Sequence, residues 1–445
     1  MTAETTVKNV SDKRRSVAIV SLGCSKNLVD SERLMAMLGN VGFATRHDPS
    51  RVRADEVVVI NTCGFIQDAK EESINTILEY ADARKRGKIA ALYVMGCLSE
   101  RYAEELPGEI PEVDAWYGKT DWPRLVTDLA HRYPATAPYD RVITTPRHYA
   151  YLKIAEGCNR FCAFCAIPLI TGRYKSRPVE EILDEVKMLV GRGVREFNVI
   201  AQDLSAYGTD LDGGRSRLAE LIDRMADIKG VEWIRLHYAY PSDFPYDVLD
   251  VMAMRPNVCK YLDIALQHAS DKVLTNMRRH ISAEETRRLL AEIRRRVPGI
   301  HIRTTLMVGF PGEGDREFEE LMEFVRTQRF ERMGAFAYSE EDDTYAARTF
   351  SDDVPYEVKQ KRLERLMALQ EEISQEIQSS KVGSVVKVVI DREEPDYYVG
   401  RTQWDSPEVD PEVLVEKIRP MKRGEFHDVV VTSASPFELY AKPLE

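Results

Sequence analysis

The chain has 445 residues, 44% of them hydrophobic, and a formal net charge of −11. That length predicts two or three domains of ordinary globular composition. The acidic balance argues against a chain whose main work is coating nucleic-acid phosphates, and no apolar run approaches the ~20 residues that span a bilayer. The opening residues, Met1 to Lys8, lack the apolar stretch of a secretory signal and read as a tail to about Arg15, so the expected location is the cytoplasm. Seven cysteines in such a chain read as metal or catalytic ligands before disulfides.

From about Ser16 to Tyr139, strand and helix patterns alternate. Val17–Leu22, Val57–Ile60 and Ala91–Met95 are apolar runs of strand length. Asp30–Leu38, Ala69–Ala83 and Glu100–Leu106 carry helical spacing, with Leu34, Met35 and Leu38 facing inward on the first and Ile74, Ile77 and Leu78 on the second. The order predicts a parallel sheet with right-handed crossovers. Each strand runs into glycine and cysteine: Gly23-Cys24, Cys63-Gly64 and Gly96-Cys97. The carboxyl edge of such a sheet is where ligands sit, and neighbouring strands stand only ~5 Å apart. Three thiols can therefore converge on one object, the glycines letting the backbone come close. Isolated cysteines are often simply small core residues; three at equivalent strand ends instead predict three ligands to an iron–sulfur cluster with one iron left open. Pro134–Pro146, rich in proline and threonine, reads as a linker.

The second segment, Tyr149 to about Gln375, repeats a strand–helix unit six times. Strands are predicted at Ala150–Ala155, Glu196–Ala201, Trp233–His237, Tyr261–Leu266, Ile302–Val308 and Gly334–Tyr338. Ser282 to Glu285 has the spacing of a capping box, and Pro298-Gly299 ends the helix it opens. Glu317–Arg326 turns Phe318, Leu321 and Phe324 inward, and Val358–Ile377 is a last long helix. Six units predict a partial (β/α) barrel whose chemistry lies at the carboxyl ends of its strands. Cys158, Cys162 and Cys165 follow the first strand on one tight loop. No His or Cys follows at zinc-finger or ribbon spacing, and three soft sulfur ligands suit a cubane with an open iron. Other strand ends place Gln202, Asp203, Gln267 and Glu313 as candidates for cofactor or substrate contact, with His237 and His268 behind them. Cys259, just before a strand, reads as inert packing.

The third segment, Gln378 to Glu445, predicts a small antiparallel barrel from Val385–Ile390, Tyr397–Gly400, Val413–Lys417 and Asp428–Thr432. It holds nine Lys/Arg and thirteen Asp/Glu, a net of −4, where an RNA-gripping module should be basic or present a basic face with aromatics. Tyr397, Tyr398, Trp404 and Phe426 are expected in the barrel core, and Asp405 to Asp410 reads as an acidic turn available to a basic protein partner.

The loop from Cys158 to Cys165 resembles the radical S-adenosylmethionine (SAM) superfamily signature, in which the open iron binds the amine and carboxylate of SAM. Nearly the whole chain resembles the radical SAM methylthiotransferases. The runs Ser21–Glu32, Ile60–Ile66, Ala69–Ile74 and Tyr151–Arg160, with Cys165-Ala-Ile-Pro168 behind them, are similar to its RimO branch, which acts on a ribosomal protein. Departures at Thr171, Ala265 and Gly314 remove no thiol ligand. The resemblance implies three modules: a cluster-binding domain at 15–135, a radical SAM core at 147–376 and a TRAM barrel at 378–445. It implies two 4Fe-4S clusters, on Cys24/Cys63/Cys97 and on Cys158/Cys162/Cys165, and SAM used twice, with methionine, 5′-deoxyadenosine and S-adenosylhomocysteine as products. The implied reaction places a methylthio group on the β-carbon of an aspartate in protein twelve of the small ribosomal subunit, free or in the assembling subunit, with a low-potential donor such as flavodoxin or ferredoxin supplying electrons. An unactivated β-hydrogen offers no route to acid–base catalysis, so no residue is assigned as acid or base. The competing expectations are a tRNA methylthiotransferase with the same clusters, and a non-enzymatic electron-transfer or scaffold protein.

Overall fold

A computed structural model describes residues 16–131 and 140–444. The expected tail to Arg15 and the first part of the 134–146 linker lie outside the described residues. The chain divides into two compact units, Met1–Val142 and Ile143–Glu445.

The first unit is built on five parallel strands, β1 (Ser16–Ser21), β2 (Ala44–His47), β3 (Val57–Thr62), β4 (Ala91–Gly96) and β5 (Ala115–Trp116), in the order β2-β1-β3-β4-β5. Successive side chains point to opposite faces. Val17, Ile19 and Val59 therefore pack on Leu34, Leu38, Leu125 and Val126 of one helical layer, while Ala18, Val58 and Ile60 pack on Ile77 and Ala81 of the other. Two covered faces explain why Val57–Ile60 of β3 is an unbroken apolar run; each fully buried Val or Ile there contributes about 1.5–3 kcal/mol. The expected strands are the three central ones. Strands β2 and β5 were not expected: one is Ala-Thr-Arg-His and the other has two residues, so neither carries a run to read. The helix Gln67–Lys85 buries Lys70, Ser73, Ile77 and Ala81. Leu78, expected inside, is 49% exposed, because the buried stripe runs through 70, 73, 77 and 81. In place of one helix over Glu100–Leu106, Cys97–Arg101 and Leu106–Glu109 form separate short helices.

In the second unit all six expected strands form one parallel sheet. They are β6 (Tyr149–Lys153), β9 (Glu196–Ile200), β10 (Trp233–Ala239), β11 (Val258–Ile264), β12 (His301–Val308) and β13 (Arg332–Ala337), each beside its predecessor. Two short strands between β6 and β9, β7 (Ala155–Glu156) and β8 (Lys175–Ser176), pair antiparallel. The capping box is present, with Ser282 and Glu285 each satisfying the other's backbone N–H. Phe318, Leu321 and Phe324 are buried in the main core, and the helix Tyr356–Ser379 adds Leu366 and Ile373 to it.

A closed barrel follows: β14 (Val385–Glu393), β15 (Tyr397–Thr402), β16 (Glu412–Glu416), β17 (Phe426–Ala434) and β18 (Glu438–Pro443), in the order β14-β15-β16-β18-β17. It departs from a purely antiparallel barrel at one pair, since β16 and β18 run parallel. Among the aromatics expected in its core, only Tyr398 is a buried member of that core and Trp404 packs against it; Phe426 instead meets Trp233 of the sheet at 4.9 Å.

The turn over 402–411 corrects the sequence reading most. It is not a solvated acidic turn but fills the amino end of the six-stranded sheet. Asp405 is 1% exposed and accepts from Arg332 at the start of β13, 3.0 Å from Nε. Asp410 accepts from the Tyr261 hydroxyl at 2.8 Å and from Arg303 at 3.2 Å. Arg401 reaches Glu196 at 2.8 Å and Asp391 at 2.6 Å, and Trp404 stacks on His301 at 4.7 Å. The carboxylates neutralise the sheet's own arginines and are not free for a basic partner. Cys259 is buried beside Trp233 and Tyr261, as packing.

Candidate metal centres and cofactor residues

In the first unit, Cys24, Cys63 and Cys97 sit at the carboxyl ends of β1, β3 and β4, three strands hydrogen-bonded side by side. Gly23 holds φ +86°, and a Cβ there would stand 2.7 Å from the Cys63 sulfur; only glycine lets the first strand end pass so near the second thiol. Gly96, at φ +107°, would likewise drive a Cβ to 2.5 Å from the Thr62 carbonyl. Burial pushes the Cys97 thiol up to about 12; Lys119 pulls the other way, while Cys24 and Cys63 add to the rise. Burial also raises Cys63, against the backbone N–H of Phe65. The protein around Cys24 would raise its thiol too, yet Lys26, Lys119 and the N–H groups of Asn27 and Lys26 outweigh it and lower its pKa below the usual thiol value. Gly23, packed on the Cys63 thiol, and Asn27, whose Oδ1 lies 3.6 Å from the Cys97 sulfur, set the strand ends in one neighbourhood.

Among the described residues no three His, Cys, Asp or Glu side chains converge as the ligands of a single metal ion do. A cubane asks for something else. Its thiolates bind different irons, so they must ring a volume rather than meet at a point. Three thiols at adjacent strand ends, with Cys24 shifted toward ionisation, fit that demand, and a bound iron would replace the protons that burial holds on the other two.

The second set lies on the loop between β7 and β8, whose pairing clasps it at the base. The Cys158 N–H donates to Gly172 O at 3.2 Å, and the Tyr174 N–H to the Asn159 side chain at 3.1 Å. Ala163, wholly buried, ties the loop's middle to Met277 and Ala346. Burial pushes Cys158 up to about 11 and Cys165 further. Cys162 has company: Arg279 Nη1 donates to its sulfur at 3.2 Å and the Tyr240 hydroxyl lies at 3.5 Å. Arg279 (2% exposed) and Arg160 both lie against the Tyr240 ring, 4.1 and 4.3 Å from its centroid. The donors are soft and clustered, Cys158 and Cys162 buried and Cys165 half-buried, and they fit a cubane with an open iron.

The four candidate contact residues fare differently. Gln202 follows β9 and donates to Glu156, which leaves its buried Oε1 without a partner. Asp203 accepts from Arg160 at 2.6 Å and from the Ser205 N–H at 2.9 Å; burial raises its carboxyl despite Arg160. It thus joins the cysteine loop to the end of β9. Gln267, beyond β11 with φ +71°, exchanges backbone bonds with Thr305 and Met307 of β12, and its buried Oε1 is also unpartnered. Glu313 is a buried hub: it accepts from the Gly309 N–H at 2.9 Å and from Arg362 at 2.9 Å, and meets His268 at 3.1 Å. His237 lies within β10, against Asn198 and Ser406, its ring held toward neutrality by burial.

Arg279, Tyr240, Asn27 and Lys119 escaped the sequence reading. Arg278-Arg279-His280 looks like a solvated charge run, and Lys119 follows a strand too short to see. The one available signal was position, since Tyr240 stands just past β10 at the edge where the thiols lie.

Comparison with known proteins matches three family models: the Radical SAM superfamily over residues 152–325, the uncharacterized protein family UPF0004 over 16–118, and the TRAM domain over 382–444. The chain is 59% identical to the ribosomal protein uS12 methylthiotransferase RimO of Porphyromonas gingivalis, covering 97% of this chain and 99% of that one. It is 58% identical to the proteins of the same name from Parabacteroides distasonis and Bacteroides thetaiotaomicron, each over 97% of this chain and 100% and 99% of theirs. Among solved structures it resembles the radical SAM methyltransferase TsrM from Kitasatospora setae, with TM-score 0.57 and 16% identity over 75% of this chain and 77% of that one. It also resembles the cobalamin-dependent SAM radical enzyme OxsB, with TM-score 0.52 and 13% identity over 81% and 56%. At such identities the structural likeness speaks to the fold alone.

Proposed function

We propose that this chain, which belongs to the RimO family of ribosomal protein uS12 methylthiotransferases, replaces a β-hydrogen of an aspartate in that ribosomal protein with a methylthio group. The observation that carries the reading is the pair of three-thiol sets, each at the carboxyl edge of its own parallel sheet, on a chain that matches those relatives from end to end. When bound, two 4Fe-4S clusters and SAM supply a carbon-centred radical able to take an unactivated hydrogen and a sulfur able to replace it.

The chain's own residues hold and orient. Cys24, Cys63 and Cys97 would ligate one cluster, and Cys158, Cys162 and Cys165 the other. The β7–β8 clasp and the Asp203–Arg160 pair fix the second loop, and Arg279 would supply a charged hydrogen-bond donor to a ligating Cys162 sulfur. Gln202 and Gln267 offer unsatisfied buried acceptors, which suit the hydroxyl and ammonium donors of SAM; leaving such atoms unmatched costs free energy that a ligand can recover. Glu313 holds the Gly309–Gly314 turn in shape through its three partners. A scaffold or electron carrier has no use for acceptors left open at such an edge.

The second unit's acidic barrel turn does not support a basic partner, because it is internal. What supports one is the kinship with relatives named for ribosomal protein uS12 and the chain's formal net charge of −11, which would draw a basic protein. Electrons come in this proposal from flavodoxin or ferredoxin in the cytoplasm; no described helix is long and apolar enough to cross a membrane. To test the reading, the anaerobically reconstituted, reduced enzyme is given SAM with the ribosomal protein or with tRNA. A mass gain of one methylthio group on the protein is expected; a gain on tRNA alone would overturn the assignment.

A further inference from the structure

Four neighbouring strands of the first sheet, β1, β3, β4 and β5, end on the same edge. Three ends carry the cysteines, and the fourth runs into Lys119. This lysine is 3% exposed. Its ammonium donates to Asn27 Oδ1 at 3.3 Å and to Asp30 Oδ2 at 3.2 Å, and both acceptors are themselves buried. The Asn27 amide nitrogen donates to Leu22 O at 3.1 Å and Thr62 O at 2.9 Å, which turns Oδ1 toward Lys119 and toward the Cys97 thiol, 3.6 Å away.

A buried lysine–aspartate pair is a poor stabiliser, since each ion gives up several kcal/mol of hydration. Its charge has a use once the thiols lose their protons. A ligating Cys97 has no hydrogen to give Asn27, so sulfur and Oδ1 become two acceptors face to face, and Lys119 is the buried donor bonded to that Oδ1. We infer that Lys119 is a positioning residue for the Cys24–Cys63–Cys97 centre: its ammonium offsets the negative charge of the ligating sulfurs and so sets how readily that centre is reduced. Net charge and hydrogen bonding around the sulfurs are among the levers on cluster potential, and Asp30, on the same ammonium, works against Lys119. The inference rests on the cluster assignment proposed above.

The test uses the full chain carrying C158A, C162A and C165A, so that the remaining cluster signal arises from the first unit. Iron and sulfide content and an EPR-monitored redox titration are read after anaerobic reconstitution. K119M should shift the midpoint negative and lower iron retention, K119R should stay near the parent, and D30N should shift the midpoint positive. A pair that only braces the fold would move K119M and D30N alike. Shifts in the same direction, or none in either variant, would overturn the role of Lys119. If K119M fails to fold by circular dichroism, D30N decides alone, and an unmoved or lowered midpoint there sinks the idea. A parent that binds no iron at all would remove the cluster assignment and this inference with it.

Discussion

The two ends of the six-stranded sheet bury different polar groups. At the amino end each buried carboxylate has a cation: Glu196 has Arg235 and Arg401, Asp405 has Arg332, and Asp410 has Arg303. At the carboxyl end the thiols cluster, and Gln202 and Gln267 bury acceptors with nothing to accept. Charge pairs occur at both ends, Asp203 with Arg160 and Glu313 with Arg362 at the carboxyl edge; what the carboxyl edge adds is the cluster of thiols beside two buried amide acceptors, at the end of the sheet where ligands would meet it. The third module is thus a stopper for the amino end as much as a domain in its own right.

The sharpest way to break this contrast is to remove the thiols. Replacing Cys158, Cys162 and Cys165 by Ala should drop 5′-deoxyadenosine release from SAM to background while the urea midpoint of the metal-free chain stays put. Replacing Cys24, Cys63 and Cys97 should leave that release and stop methylthio transfer; loss of both activities would mean that the first unit's thiols serve the fold. At the opposite end the expectation inverts. D405A strands Arg332 as an unpaired buried charge and should cost about 3–5 kcal/mol of stability. The double variant D405A/R332M, which removes the stranded charge, should lose less than D405A alone. Both are read by urea unfolding, and equal losses would deny that pairing is what matters there.

The contrast also explains what could be read from the chain alone. The Cys158 to Cys165 set is local, so spacing sufficed. The Cys24, Cys63 and Cys97 set spans 74 positions and became legible only because each thiol follows a strand whose apolar run is plain. Lys119 was illegible because its strand, Ala115–Trp116, has no run at all. The 402–411 turn misled because its acidity is a local fact and its partners are not: Arg332, Arg303 and Tyr261 lie some 70 to 150 positions earlier. Charge composition cannot say whether a carboxylate faces water or an arginine from another module. Leu78 failed for a smaller reason, a choice of stripe on a helix with two apolar options.

A milder probe of the carboxyl end is Gln267→Asn, which shortens the open acceptor and still tolerates the left-handed backbone at that position. Because Oε1 has no protein partner to lose, stability should hold, while KM for SAM should rise about tenfold, equivalent to about 1.4 kcal/mol. An unchanged KM with lowered stability would make Gln267 part of the frame.

The smallest effect tests whether the amino end is matched throughout. Lys381 sits there beside Trp404, 5.3 Å from its ring, and donates to Gln378. Burial, with Arg332 beside it and against Asp405 and Glu331, lowers its pKa to about 8; His301 also faces it and is itself held neutral by burial. The folded value lies below the ~10.4 of an unfolded lysine, so below pH 8 both states carry the proton and the folded state bears its cost. As pH rises through the folded pKa, the native state sheds the proton first, and stability must increase until the unfolded lysine also titrates. The gain between pH 8 and pH 9 should be about 1 kcal/mol, seen as a higher urea midpoint. K381M should abolish that slope. Were the slope to survive in K381M, the titrating group would lie elsewhere. Were the wild-type stability instead flat over the same interval, Lys381 would be held charged by Asp405 and Glu331, and the amino end would be matched even there.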